Sequence, residues 1–150
     1  MRIFIGSDHA GFSLKEKIKR YLEIKRIEYE DLGAKKYEKR DDYPDYAFKV
    51  AERVAKDRDA LGILICGTGS GMVIAANKAP GIRAAAPYDS YSAKMSRLDN
   101  NANILCLRGR AFPFSKIKNI LNIWLSTKFN SEERHKRRLN KIERFEKRKV

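Results

Sequence analysis

The amino-acid sequence predicts an α/β fold in which helices cover both faces of a mostly parallel sheet of about five strands. Short runs of branched apolar residues alternate along the chain with longer segments that repeat apolar residues at helical spacing. Strand-like runs such as "LGILIC" are too apolar to leave one face in water, which is typical of a parallel sheet between two helical layers. The 150 residues suit one domain, a Rossmann-like three-layer sandwich over residues 1–150.

The predicted elements follow one another in a regular order. "RIFIG" predicts the first strand, and "FSLKEKIKRYLEI" predicts a helix because Leu14, Ile18 and Leu22 lie along one side. A strand in "IEYEDLG", a helix in "DYAFKVAERVAKD" and the strand "LGILIC" come next, and a further helix follows the glycines. We then expect a strand in "GIRAAAP", a helix from about Ser90 to Leu98, the strand "NILCL" and the amphipathic helix "SKIKNILNIWLSTKF".

Residues 131–150 predict an extended, basic C-terminal helix. They contain nine Lys or Arg against four Glu, with Ser131 as the expected N-cap. Leu139, Ile142 and Phe145 form only a narrow apolar stripe. A helix with so thin a stripe gains little by lying on its own domain, so we expect it to pack against a second subunit.

Composition and charge limit the function classes. The formal net charge of +14 attracts anions such as phosphate esters, nucleic acids or acidic surfaces. No apolar stretch approaches the roughly 20 residues that a membrane span needs, and the first residues lack the apolar core of a signal peptide. Cys66 and Cys106 each end an apolar run and are expected to be reduced thiols, which favours a soluble, cytoplasmic protein.

The segment "LGILICGTGSGM", residues 61–72, is the most informative stretch. A glycine-rich turn between a strand and a helix presents backbone N–H groups to an anion. The G-x-G-x-G spacing, the position in mid-chain and the missing Lys-Ser/Thr ending all argue against a nucleotide site. The amides of residues 67–71 could instead hold an oxyanion such as an enediolate, with Cys66 as thiolate base or nucleophile. A cysteine that merely ends a buried strand is the alternative, and it is our interpretation of Cys106.

Two further groups of residues have the chemistry of a binding site. "SDHAG" places Asp8 and His9 after the first strand, where a carboxylate can exchange protons and an imidazole can bind an oxygen. Helix capping by Ser7 or Asp8 is the ordinary alternative. Arg134 and Arg138 are four residues apart on one helix face, so both guanidinium groups can converge on one phosphate.

Together these motifs resemble a known family. "SDHAGF", "DYPDYA", "ILICGTGSGMVIAANKAPGIRAA", "NNANILCL" and "RHKRR" occur in the order found in the type B ribose-5-phosphate isomerases, from Met1 to about Phe145. Isomerases of galactose 6-phosphate and allose 6-phosphate share the general pattern. The resemblance implies an aldose–ketose isomerase of the non-oxidative pentose phosphate pathway, acting on a sugar phosphate through a cis-enediol with no metal or other cofactor. It also implies a homodimer, with dimers in some members paired into tetramers, whose sites draw on both subunits.

The resemblance also implies roles for individual residues. Cys66 matches the position of the base that moves the proton, whereas Met72 stands where other members have a glutamate base. Asp8 would help open the sugar ring. The enediolate oxygens would be held by Thr68 and by the amides of Gly67, Gly69, Ser70 and Gly71. The phosphate would be bound by His9, Arg134 and Arg138, and further contacts to the substrate would come from Asn100, Arg110 and Tyr43.

The chain departs from the family at one position. Many members use the histidine of an "HN" pair in ring opening, but this chain has Asp99 there, and an ionised carboxylate is a poor proton donor. Either Asp99 acts as the base with Asp8 or another group as acid, or ring opening is left mainly to solution, or the preferred sugar differs. The alternatives are therefore a six-carbon sugar phosphate isomerase or a non-catalytic phosphosugar-binding relative. A nucleic-acid binder is disfavoured because no RNA-binding aromatic motif or helix-turn-helix is present.

Overall fold

The computed structural model describes residues 2–148 of the chain. The strands are β1 (Arg2–Ser7), β2 (Tyr29–Asp31), β3 (Ala60–Cys66), β4 (Ala84–Ala85) and β5 (Ile104–Arg108). The helices are α1 (Phe12–Ile24), α2 (Tyr43–Lys56), α3 (Ser70–Ala76), α4 (Ser90–Leu98), α5 (Phe114–Ser126) and α6 (Glu133–Lys147). All strand pairs are parallel, in the order β2-β1-β3-β5-β4, so the predicted five-stranded α/β sandwich is confirmed.

Two apolar clusters fill the space on either side of the sheet. Because successive strand residues point to opposite faces, Ile3 and Ile5 pack with α1 and α5, whereas Phe4 packs with α2. Trp124 of α5 is fully buried in the first cluster, and Met72 of α3 is fully buried in the second. The strands are therefore covered on both faces, which is why they have the continuous apolar character noted in the sequence.

Two local details differ from the sequence prediction. β4 is only two residues long, and it lies at the edge of the sheet, where it pairs with β5 alone. Ser131 is not the N-cap of α6, since its φ of 55° is left-handed and an N-cap has extended backbone. The helix begins at Glu133, and the Asn130 side chain accepts a hydrogen bond from the Glu132 N–H at 3.2 Å. Residues 149 and 150 of the predicted helix lie outside the described residues.

The topology separates two edges of the sheet. All strands end at the same carboxyl edge, and the order reverses between β1 and β3, the place where ligands bind in open α/β sheets. Helix α4 then returns the chain to the amino edge, where Gly62 donates a backbone hydrogen bond to Asn103 at 2.8 Å. Gly62 and Cys66 are four residues apart on β3, a distance of about 13 Å at the usual strand rise. The residues that follow α4 therefore lie far from those that follow β1 and β3.

Candidate active site

Three loops at the carboxyl edge are joined by backbone hydrogen bonds. Asp8 donates to the Ile65 carbonyl at 3.3 Å, and Gly109 donates to the Cys66 carbonyl at 2.8 Å. A β-carbon on Gly11 would stand 2.5 Å from the Ile65 carbonyl oxygen, so only glycine permits this approach. The loops after β1, β3 and β5 therefore form one hydrogen-bonded surface at the carboxyl edge.

Cys66 is the last residue of β3 and lies at this surface. Its side chain is buried, with the residue 5% exposed, and its Sγ accepts a hydrogen bond from the Gly69 N–H at 3.2 Å. A backbone donor directed at the sulfur suits an anionic thiolate, which is a strong acceptor. Cys106 lies in the apolar core, and burial raises the pKa of its thiol, followed by a smaller effect of Cys66. Only Cys66 therefore combines a buried thiol with a polar turn at the sheet edge.

The glycine turn after Cys66 is open on one side and covered on the other. Gly69 has a left-handed φ of 85°, which brings its N–H back toward the Cys66 sulfur. Thr68 and Ser70 are exposed, and the Ser70 N–H donates to Thr68 Oγ1 at 3.3 Å. Position 72, one turn further on, is a methionine that is fully buried in the core. The turn therefore has no carboxylate at that position.

Two side chains pack directly on the glycines of this turn. A β-carbon on Gly71 would stand 2.8 Å from the Tyr43 ring, and one on Gly67 would stand 3.4 Å from Arg110 Nη1. The Arg110 N–H also donates to the Gly67 carbonyl at 3.2 Å. Arg110 therefore places a positive charge against the amides that are predicted to face an oxyanion.

Asp8 is buried beside this turn. The residue is 6% exposed, and its Oδ1 accepts a hydrogen bond from the Gly11 N–H at 3.0 Å. Burial raises the pKa of the Asp8 carboxyl, only partly offset by the Gly11 N–H and by His9. A carboxyl group with a raised pKa is suited to exchange protons with a hydroxyl group.

His9 is held by a residue that the sequence analysis missed. Asp41 Oδ1 accepts from the His9 backbone N–H at 2.9 Å and lies 2.7 Å from His9 Nδ1. Asp41 is 32 residues away along the chain, and its place next to Asp42 suggests only a helix start. No local spacing links the two residues, so only the folded loop shows the contact.

The other predicted site residues lie at the opposite edge of the sheet. Asp99 caps the end of α4 and is 3.8 Å from His135 Nδ1, measured to its Oδ1. Asn100 lines a cavity of about 400 Å³ with Leu139 of α6. Arg134 and Arg138 are exposed on α6. Within one chain these four residues are not brought together with Cys66. The sequence already indicates this for Asp99, because it follows a predicted helix and therefore belongs to the amino edge.

Residues 2–148 contain neither a membrane-spanning helix nor a cluster of metal ligands. No helix in this range is long and apolar enough to cross a membrane. No group of three or more His, Cys, Asp or Glu side chains within the same range is arranged to hold a metal ion.

The chain is similar to known proteins over almost its whole length. The model of the ribose/galactose isomerase family matches residues 3–142. A probable ribose-5-phosphate isomerase B of Mycoplasma genitalium is 45% identical over 146 residues, which cover 97% of this chain and 95% of the relative. The crystal structure of ribose-5-phosphate isomerase B from Mycoplasma genitalium with bound ribulose-5-phosphate superposes with a TM-score of 0.93 and 45% identity, covering 97% of this chain and 96% of that one. The ribose-5-phosphate isomerase B of Clostridium thermocellum gives a TM-score of 0.95 at 45% identity over 100% of both chains.

Proposed function

The chain belongs to the ribose/galactose isomerase family, and we propose that it is an aldose–ketose isomerase that interconverts ribose 5-phosphate and ribulose 5-phosphate. The observation that supports this most is the Cys66 thiol at the end of β3, with the Gly69 N–H directed at its sulfur. The relative with bound ribulose-5-phosphate shares the fold over nearly the whole chain. The reaction needs one base for a carbon-bound proton and an anion-stabilising turn beside it, and this edge offers both.

In the proposed mechanism Cys66 moves one proton. The thiolate removes the proton from C2 of the open-chain aldose, and the electron pair forms the C1–C2 double bond as charge develops on the C1 oxygen. The amides of residues 67–71, with Thr68, stabilise this enediolate, because preformed donors need no reorganisation as the charge appears. The thiol then returns the proton to C1 and is again a thiolate, while the proton of the C2 hydroxyl passes to the C1 oxygen, which leaves a ketone at C2 and a hydroxyl at C1.

Ring opening precedes this step and falls to the carboxylates. Asp8 is buried near Cys66 with a raised pKa, so it can give a proton to the ring oxygen. Asp99 is partly exposed and can accept the proton of the anomeric hydroxyl. The two groups lie at opposite sheet edges, so Asp99 would have to come from a second copy of the chain.

We therefore propose that the site is completed by a homodimer. His9, on the carboxyl edge of one copy, would bind the substrate phosphate together with Arg134 and Arg138 from the amino edge of the other. A two-fold axis would create two such sites per dimer. Exposed apolar side chains are available to form the contact, among them Ile74, Tyr91 and Ile142. A cytoplasmic location, a dimer of dimers and a single domain over residues 1–150 remain predictions.

A coupled assay across pentose and hexose phosphates tests the function. We expect ribose 5-phosphate to have a kcat/KM at least about tenfold above those of allose 6-phosphate and galactose 6-phosphate, since one missing or extra group in a pocket changes binding by about 1–3 kcal/mol. The Cys66→Ala protein is the control for contaminating isomerase. Faster turnover of a hexose phosphate would move the assignment to the six-carbon branch of the family. A folded protein that binds but converts none of these sugars would refute catalysis.

A further inference from the structure

Asp41 contacts both the backbone and the ring of His9. One carboxylate oxygen, Oδ1, lies 2.9 Å from the His9 backbone nitrogen and 2.7 Å from Nδ1 of the ring. The two bonds fix both the backbone and the ring of the same residue. His9 therefore cannot turn about its side-chain bonds without breaking the contact with Asp41.

This contact determines which ring nitrogen faces outward. An ionised carboxylate can only accept hydrogen bonds, so Nδ1 of His9 must have the hydrogen. The His9 side chain is 26% exposed while that of Asp41 is 7% exposed, so the accessible part of the ring is the side away from Asp41. Tyr37 meets the His9 ring edge-on, with a centroid distance of 6.4 Å. Nε2 is the polar ring atom left for a ligand.

The surroundings of Asp41 keep it in place. Its N–H donates to the Glu38 carbonyl at 3.1 Å, which closes a turn just before α2. The Tyr46 hydroxyl lies beside the carboxylate, and burial, with Asp41 as the next cause, raises the pKa of Tyr46 to about 12. Tyr46 therefore keeps its proton near neutrality and adds no second negative charge. Asp41 Oδ2 is buried and has no hydrogen-bond partner among the described residues, so the two contacts to His9 dominate its hydrogen bonding.

We propose that Asp41 is a positioning residue for the reaction: it accepts the Nδ1–H of His9, so that Nε2–H of the protonated ring is directed at the phosphate of the substrate and donates to it. The assignment of the phosphate rests on the proposed function, whereas the state of the ring does not. Asp41 itself touches no reacting atom. Because the substrate phosphate is bound before and after proton transfer alike, the loss of Asp41 should weaken binding and leave the chemical step largely intact.

Steady-state kinetics tests the binding part of this proposal. Asp41→Ala should raise the KM for ribose 5-phosphate roughly tenfold with kcat changed less than about twofold, since it removes a charge-assisted contact from a binding group. Asp41→Asn should recover much of the loss, because a carboxamide oxygen still accepts from Nδ1–H. Glu38→Ala removes an exposed carboxylate from the same loop and should leave KM unchanged. A fall in kcat with unchanged KM in Asp41→Ala would overturn the proposal.

Nitrogen-15 NMR of the imidazoles tests the tautomer without any turnover. The chain has only two histidines, so a His9→Gln protein assigns the signals. The wild-type protein should show His9 with a protonated Nδ1, and inorganic phosphate should shift Nε2 most. In Asp41→Ala the hydrogen of the His9 ring should be distributed between Nδ1 and Nε2 as in free imidazole. Asp41→Asn should retain the wild-type pattern. An unchanged His9 spectrum in Asp41→Ala would refute the proposal, whereas a fixed ring in a protein that fails to isomerise ribose 5-phosphate would refute the proposed function alone.

Discussion

The two edges of the sheet present their predicted site residues in opposite ways. At the carboxyl edge, Asp8 and Cys66 are buried and joined to neighbouring loops by backbone hydrogen bonds. At the amino edge, Arg134 and Arg138 stand on an exposed face of α6. Two of the groups proposed for chemistry are thus immobilised within one chain, while two of those proposed for phosphate binding lie on its surface, where a second copy can meet them.

This contrast has a physical origin in how each edge is built. The carboxyl-edge groups follow strands that pair on both sides, so their main chains are fixed by the sheet itself. The loop after β2 reinforces this, because Ser7 donates to the Gly33 carbonyl at 2.8 Å and accepts from the Ala34 N–H at 2.9 Å. At the amino edge, by contrast, Arg134 is held by an exposed ion pair with Glu132 at 2.8 Å, a weak contact that a bound anion can replace.

The largest expected effect separates the two cysteines. Cys66→Ala should reduce kcat roughly 10²- to 10⁴-fold, the usual range for loss of an acid–base group, without unfolding the protein. Cys106→Ala is the matched control, since this thiol packs in the core and should affect stability while leaving the specific activity of the folded protein nearly unchanged. Ribose 5-phosphate turnover and circular dichroism measure the two properties. Appreciable turnover by Cys66→Ala would show that another group is the base.

The next effect concerns a buried ion pair that supports the carboxyl edge. The fully buried Lys15 Nζ lies 2.8 Å from Asp31 Oδ1 and also donates to the Ala34 carbonyl. Asp31→Ala should lower the free energy of unfolding by about 3–5 kcal/mol, because it leaves a buried charge unpaired. Glu133→Ala removes one half of an exposed pair with Lys136 on α6 and should cost less than about 1 kcal/mol. Urea unfolding of both variants gives the comparison, and equal costs would contradict the contrast between the edges.

The same ion pair should make stability depend on pH. Burial alone would raise the pKa of Asp31, but hydrogen bonds from Lys15, Gly33 and Lys19 outweigh it and lower the pKa below the ordinary 3.8. The stabilisation is therefore complete above about pH 4 and is lost as the pH falls through the lowered native value. The Asp31→Ala protein should lack this part of the acid dependence. Parallel pH profiles for the variant and the wild type would show that Asp31 does not contribute to it.

The positions of the site residues at the carboxyl edge were easier to predict from the sequence than those at the amino edge. Strand ends are visible as the ends of apolar runs, so the positions of Asp8 and Cys66 followed from periodicity and the parallel-sheet rule. The partner of His9 could not be predicted, since the contact of Asp41 depends on the path of a loop with no periodic pattern. The separation of Asp99 from Cys66 also went unnoticed, because motif matching gives the order of residues along the chain and not the edge on which each lies.

The smallest effect should come from Asp99 at the amino edge. Asp99→Asn should lower kcat/KM for ribose 5-phosphate by up to about tenfold, or about 1.4 kcal/mol, because sugars also open slowly in solution. Asp59→Asn, an exposed carboxylate at the same edge, should have no effect. Single-turnover rates on the cyclic substrate are the appropriate measurement. Full retention of activity in Asp99→Asn would exclude this residue from ring opening.

The proposal that two copies complete one site is tested most directly by complementation. Cys66→Ala and the double variant Arg134→Ala, Arg138→Ala should each be nearly inactive at low substrate. A heterodimer of the two, isolated through different affinity tags, would contain one doubly defective site and one intact site. We predict about half of the wild-type activity per dimer, as two-fold symmetry requires. A heterodimer no more active than its parents would show that each site is formed within a single chain.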